Sequence, residues 1–227
     1  MPSKILLTSF QTWLPHQVSN SSDDLIEKIL DDTDSFEALS VSLIALRQLP
    51  VDVPQASRLA IAKIAELQPD AVICCGMAEK RTQLTVESGA SSRYVFFPIS
   101  LAIYCLSLWE IVSFNALQYG LPALFYTNER SDSNYLKTPV NLEELLVDLI
   151  QTEISHNAGQ FVCEGLYYEV LNYLREHHPH IPCIFLHVPV LTPDNSLNIV
   201  ADFRAIICRL ASLEKFYNPH SFVQVAQ

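Results

Sequence analysis

Charge is scarce in this chain. Asp, Glu, Lys and Arg make up 17% of its 227 residues, against 49% hydrophobic ones, which is lean in charge for a soluble protein. Positive charge is scarcer still: 14 Lys and Arg face 25 Asp and Glu, for a formal net charge of −11. Nucleic-acid binding draws most of its affinity from clustered Lys and Arg, so this balance argues against a nucleic-acid partner. A disulfide framework is also lacking. The cysteines (Cys74, Cys75, Cys105, Cys163, Cys183, Cys208) lie mostly inside apolar runs with no C-x-x-C spacing, and they read as reduced thiols. The opening MPSKILLTSF is too short in its apolar part to be a secretory signal, so the expected address is cytoplasmic. At this length the default is a single domain over 1–227, long enough to bury a real core.

What is present is an alternation of strands and helices. Residues 4–10 (KILLTSF) form a short apolar run suited to a buried strand, followed by a loop over 11–22 containing Trp13, Pro15 and Asn20. Ser21 or Ser22 is the expected cap of a helix over 24–30, with Asp23 and Asp24 at its positive end. A second strand is expected over 36–46. A helix over 53–67 follows, striped by Ala56, Leu59, Ala60, Ile64 and Leu67 and ended by Pro69. Residues 71–75 (AVICC) read as a strand, 141–151 as an amphipathic helix capped by Asn141, 182–188 as a strand and 197–213 as a last helix. Such alternation is the signature of β-α-β crossovers. The expected fold is α/β, a three-layer α/β/α sandwich around a mostly parallel twisted sheet, with ligands beyond the C-terminal strand ends.

Three residues carry chemistry. Cys163 lies in SHNAGQFVCEGLYY (155–168), where Ala158 and Gly159 permit a tight turn into a helix running to about His177. In a first helical turn, unpaired N–H groups and the helix dipole favour thiolate and can hold an oxyanion, although a buried structural thiol fits the same position. Glu87 leaves a short β-like run at 84–86 and reads either as a surface acid or as a site acid. His187 stands near the end of the 182–188 strand, either as a core histidine or as a base. Together they are the nucleophile, base and orienting acid that a thiol hydrolase requires. His177, His178 and His180 flank Pro179 at a helix C-terminus, where cations complement the dipole, so no metal is expected there.

Several blocks resemble the pyroglutamyl-peptidase I (pyrrolidone-carboxylate peptidase) family of cysteine peptidases: ILLTSFQTW with Asn20, PDAVICCGMAEKRTQLTVES, and AGQFVCEGLYY with IFLHVP. The resemblance covers a little more than half the chain. It implies Cys163 as nucleophile, His187 as base and Glu87 as the residue orienting it, removing an N-terminal pyroglutamate through an acyl-enzyme. It also implies that Phe10 and Trp13 sandwich the lactam ring, that Phe161 adds a wall, and that Asn20 and Arg81 fall on family positions. The chain departs from the family where Trp13-Leu14-Pro15 stands for Phe-Gly-Gly and where Met77 stands for a glutamine. It departs again at Gln160 and Glu164, where threonine and asparagine are usual. The implied partner is a peptide with a blocked N-terminus, and no cofactor is implied.

Residues 94–128 hold one charged residue, Glu110, and do not resemble the family's polar substrate loop. The apolar piece before Glu110 is shorter than the ~20 residues that cross a bilayer, so a membrane span is not expected. A buried helix with a strand near 121–126, filling the core or making a homo-oligomer face, is expected instead; a segment foreign to the fold is the alternative. The rival to the peptidase is a catalytically impaired homologue acting as a binding or membrane-associated module.

Overall fold

The structure is a computed structural model and describes residues 2–92, 95–96, 126–127 and 135–212. Along the chain these residues form β1 (Ser3–Phe10), α1 (Ser21–Leu30), α2 (Thr33–Ala38), β2 (Val41–Leu49), α3 (Val53–Leu67), β3 (Ala71–Met77) and β4 (Leu84–Glu87). They continue with β5 (Gly89–Ser91), β6 (Val95–Phe96), β7 (Tyr126–Thr127), β8 (Tyr135–Lys137), α4 (Leu142–Leu145) and β9 (Thr152–Ser155). The last three are α5 (Val162–His177), β10 (Cys183–Val188) and α6 (Ser196–Ala211). Six strands make the central sheet in the order β2-β1-β3-β10-β4-β9. The first four are parallel; β4 pairs antiparallel with β10 and parallel with β9, so those last two run the other way. The sheet is therefore mixed and mostly parallel.

Helices cover both faces, and the strand sequences show why. In β1, Ile5 and Leu7 join one core cluster with α1 and α6, while Leu6 and Phe10 join the other with α3 and α5. β10 splits the same way, with Ile184, Leu186 and Val188 on the first face and Cys183 and Phe185 on the second. A strand buried on both faces has no polar side, so it reads as a continuous apolar run. Each fully buried Leu or Ile contributes roughly 1.5–3 kcal/mol relative to exposure.

Helix ends are set by local chemistry. The Asp52 carboxylate caps α3 by accepting from the Gln55 N–H at 2.9 Å, Pro54 occupies the first turn, and Gln68 ends the helix with φ 44°. On α3 the buried side is Val53, Ala56, Ser57, Ala60 and Ile64, whereas Leu59 of the expected stripe is exposed. α1 is capped by Asn20, one residue before the expected serines; its Oδ1 accepts from the Ser22 N–H at 3.0 Å. Asp23 in that first turn is nearly enclosed and accepts from Ser9 Oγ at 2.6 Å, from Arg47 at 2.8 and 2.9 Å and from Gln48 at 3.1 Å. Burial would raise its carboxyl, but the hydrogen bonds from Arg47, Ser9 and Gln48 outweigh burial and hold it below the ordinary value. This knot ties α1 to β1 and β2 and anchors both ends of the loop over 11–20, which becomes one wall of the site.

Two expectations change. The strand expected over 36–46 starts at Val41, because Phe36 is buried from the short helix α2. The helix expected over 141–151 ends at Leu145, although Asn141 does cap it; the chain then turns into β9. Asp202 of α6 draws that turn in, accepting from the N–H groups of Ile150 and Gln151 at 3.3 and 2.7 Å and from the Thr152 hydroxyl at 2.8 Å. Of the apolar segment 94–128, only β6 and β7, paired antiparallel, fall within the described residues; the expected helix and residues 121–125 of the strand expected near 121–126 lie outside them. Among the described residues no helix is long and apolar enough to cross a membrane.

Candidate active site

A cavity of about 360 Å³ opens at the C-terminal ends of β1, β3 and β10. The loop after β1 contributes Phe10, Gln11, Trp13, Leu14, Gln17 and Asn20; the exit of β3 contributes Met77, Glu79 and Lys80. Residues 158–163 close the far side and His187 forms part of the floor. A second recess, about 410 Å³, lies by Pro2, Phe36 and residues 40–43 with Glu37 as its one carboxylate. The chemistry is at the smaller one.

Cys163 is the second residue of α5, and the cap residue Phe161 supplies no side-chain acceptor, so the first-turn N–H groups face the cavity end of the helix. The thiol reaches the sheet because β3 has a glycine below it. A Cβ built on Gly76 would stand 2.7 Å from Cys163 Sγ and 3.0 Å from the Phe185 ring. His187 pairs with Gly76 across β3 and β10, so thiol and imidazole serve the same face of the sheet at the same level. Glu87 arrives differently from the expectation that it lies beyond a strand end. It stands within the sheet on antiparallel β4, opposite Phe185, one diagonal step from His187. Its Oε1 lies 2.7 Å from His187 Nδ1 and 2.6 Å from Arg81 Nη1. Cys163, His187 and Glu87 are thus gathered at one place.

Their resting protonation follows from burial. His187 is 5% exposed, and desolvation pulls its imidazole below the ordinary 6.5; the Glu87 hydrogen bond and charge pull it back only in part. Burial would raise the Glu87 carboxyl, but the hydrogen bond and charge of His187 outweigh burial, so the acid stays below its ordinary value and ionised. A neutral imidazole beside a carboxylate donates from Nδ1 to Oε1, which leaves the Nε2 lone pair for the cavity. Burial, then the Glu87 charge, pushes the Cys163 thiol up to about 12, against the pull of Arg81 and the backbone. This corrects the expectation of a resting thiolate. The helix dipole contributes ~0.3–2 kcal/mol, which desolvation beside a buried carboxylate exceeds.

Of the expected substrate residues, Phe10, Trp13, Asn20, Met77 and Phe161 all line the cavity. Trp13 and Phe161 touch each other, centroids 5.0 Å apart at 45°, leaving no stacking gap between them. Asn20 is occupied by its cap and by donating to the Gln11 carbonyl at 3.0 Å, and Met77 Sδ accepts from the Ser21 N–H at 3.4 Å. Arg81 is not among the lining residues; its guanidinium is on Glu87, on the Thr85 hydroxyl and on the Asn157 carbonyl at 2.8 Å. Sequence reasoning missed Gln17 and Glu79. Gln17 Oε1 accepts from the N–H groups of Trp13 and Leu14 at 2.8 and 3.0 Å, and its Nε2 donates to Glu79 at 2.8 Å, clamping the aromatic loop over the β3 exit. No periodicity marks such a clamp. His177 stacks on Tyr173 at 4.6 Å, and no group of three metal-ligating side chains occurs among the described residues.

Comparison with known proteins supports the same direction. The family model described as Pyroglutamyl peptidase matches residues 136–202. Over 195 residues the chain is 27% identical to the pyrrolidone-carboxylate peptidase of Thermoanaerobacter sp. (strain X514), covering 83% of each chain. Over 198 residues it is 28% identical to that of Bacillus velezensis, covering 87% of this chain and 82% of the relative. The crystal structure of pyroglutamyl peptidase I from Bacillus amyloliquefaciens is similar in fold, with TM-score 0.66, 21% identity and coverage of 94% and 97%. The pyrrolidone carboxyl peptidase of Fervidobacterium islandicum is similar at TM-score 0.64 and 16% identity, over 94% and 99%. At those identities the structural likeness speaks for the fold, and the sequence matches show what the chain is similar to: the pyroglutamyl (pyrrolidone-carboxylate) peptidases, over most of its length.

Proposed function

We propose that this chain hydrolyses the amide bond that follows an N-terminal pyroglutamyl residue, through an acyl-enzyme on Cys163. The observation that carries the reading is the 2.7 Å contact of His187 Nδ1 with Glu87 in the floor of a cavity that Cys163 also lines. Thiol and imidazole both rest neutral, so attack begins with a proton transfer: His187 Nε2 takes the Sγ proton as sulfur bonds to the pyroglutamyl carbonyl carbon. Glu87 stabilises the imidazolium that forms. The carbonyl oxygen becomes an oxyanion at the start of α5, where the unpaired N–H groups hold it. Collapse breaks the C–N bond, and the imidazolium passes its proton to the leaving amine. A water then gives a proton to Nε2 and attacks the thioester; sulfur leaves, regains a proton, and free pyroglutamate departs. One water is consumed per bond cleaved.

Apolar walls from Phe10, Trp13 and Phe161 suit a neutral five-membered ring. Because Trp13 and Phe161 touch, the ring enters by displacing Trp13, which is 45% exposed. The test is release of a fluorophore from a pyroglutamyl amide. Wild type is expected to turn it over and Cys163→Ala to be inactive with an unchanged circular dichroism spectrum. Full activity in Cys163→Ala would refute the assignment, and a wild type inert toward every blocked peptide would favour the impaired homologue.

A further inference from the structure

The guanidinium of Arg81 reaches from the β3–β4 turn to three partners. Nη1 donates to Glu87 Oε1 at 2.6 Å and to the hydroxyl of Thr85, the β4 residue paired with His187; Nη2 donates to the Asn157 carbonyl at 2.8 Å. Asn157 belongs to the turn that delivers Phe161 and Cys163. Its Oδ1 accepts from the Gly159 N–H at 3.0 Å, and Gly159 sits at φ 92°, where a side chain would be strained. Arg81 and His187 share one carboxylate oxygen, Glu87 Oε1, so guanidinium and imidazole are held by the same atom. A planar fork can hold a carboxylate with one nitrogen and a carbonyl with the other, which a single ammonium cannot do in fixed geometry.

We infer that Arg81 is a positioning residue: it fixes the Glu87 carboxylate toward His187 and locks it to the turn that carries the nucleophile, and it makes no contact with substrate. The inference rests on the reading of His187 as the base. The charged and titratable groups around the His187 ring are Glu87 and Arg81 from the β4 side, Cys163 from α5, and Glu79 and Lys80 across the cavity. Of these, the hydrogen bond and charge of Glu87 favour the imidazolium more than the charge of Arg81 opposes it, so a guanidinium that holds Glu87 in place supports the imidazolium on balance, and its loss lets the imidazole release its proton more readily.

Arg81→Met and Arg81→Lys test this in the full chain, with the His187 titration followed by NMR and the pH profile of pyroglutamyl-amide cleavage measured beside it. In Arg81→Met the His187 midpoint is expected to move downward as the released carboxylate leaves the ring, with the acid limb of kcat/KM following it. kcat is expected to fall ~10- to 100-fold while KM stays within ~3-fold, as for loss of a geometry-setting contact. Arg81→Lys returns the charge without the fork, so it is expected to recover both the titration and kcat only in part. An unmoved or raised His187 midpoint would overturn the inference, since Glu87 would then keep its place without the guanidinium; a KM rise with kcat unchanged would overturn it in favour of a substrate contact. If Arg81→Met does not fold, a Lys variant with the full kcat of wild type overturns it and a Lys variant with reduced kcat supports it. A wild type that cleaves no pyroglutamyl amide would fell the peptidase reading alone, and the NMR midpoints would still decide the role of Arg81.

Discussion

Glu87 and His187 face each other diagonally across the antiparallel β4–β10 pair, carboxylate Oε1 to imidazole Nδ1 at 2.7 Å, with Glu87 fully enclosed. An antiparallel neighbour delivers the acid sideways within the sheet, where the strand backbone fixes it more tightly than a loop would. Glu87→Gln keeps the shape and removes the charge that stabilises imidazolium. On the proposed mechanism kcat falls ~10²- to 10⁴-fold with KM nearly unchanged, measured on a pyroglutamyl amide. A loss confined to KM would mean that Glu87 touches substrate instead.

The resting state sets the pH behaviour. His187 holds its proton less tightly than in the unfolded chain, so the acid limb of kcat/KM is expected below 6.5. Iodoacetamide is expected to label Cys163 sluggishly at neutral pH and faster toward alkaline pH, as befits a thiol pushed up to about 12. Fast labelling at pH 6 would show a resting thiolate. Stability follows the same signs. The contribution of His187 is complete above 6.5 and is lost as pH falls below it; that of Glu87 is complete above its ordinary 4.5 and is lost on further acidification. Thermal melts are expected to drop through both windows.

Glu164 works in the opposite sense. It follows the nucleophile, is 6% exposed, accepts from the Ser91 N–H at 2.5 Å, and is pushed by burial up to about 7. A group that binds its proton more tightly when folded contributes fully below 4.5 and loses that contribution as pH rises through about 7. Glu164→Gln keeps the acceptor and removes the buried charge. It is expected to stabilise the fold by ~1–3 kcal/mol at pH 8 and by little at pH 4, read from denaturant melts. Equal gains at both values would contradict the buried-charge account.

Gly76 is the space into which the nucleophile fits. A methyl group there would meet Cys163 Sγ at 2.7 Å and the Phe185 ring at 3.0 Å, so one of them must move. Gly76→Ala is expected to cost ~1–3 kcal/mol of stability and ~10²-fold or more in kcat, since about 1 Å of misplacement carries that penalty. Unaltered kcat in the variant would place the reacting sulfur elsewhere.

Legibility followed the physics of each segment. β1, α3, α5 and β10 were readable because burial on a fixed face imposes its period on the sequence, whereas β9 and the shortness of α4 were not. What decides that stretch is Asp202, some fifty residues away, hydrogen bonding to Ile150, Gln151 and Thr152. Phe36 misled because a six-residue polar helix can bury one aromatic as well as a strand does. At the site, residue types and order named Cys163, His187 and Glu87, but charge state depends on enclosure, which sequence does not display. The helix dipole was visible and the larger desolvation was not. Arg81 showed the same gap: its position was legible, while its three partners come from β4 and from the turn before α5.

The most direct test of the account is a trapped intermediate. Wild-type chain mixed with a pyroglutamyl thioester or activated ester, quenched in acid and digested, is expected to show the mass of one pyroglutamyl group on the peptide containing Cys163. No such adduct is expected in Cys163→Ala, and slow formation is expected in a His187→Ala variant. Turnover without any adduct on Cys163, or an adduct on another cysteine with turnover intact in Cys163→Ala, would contradict it.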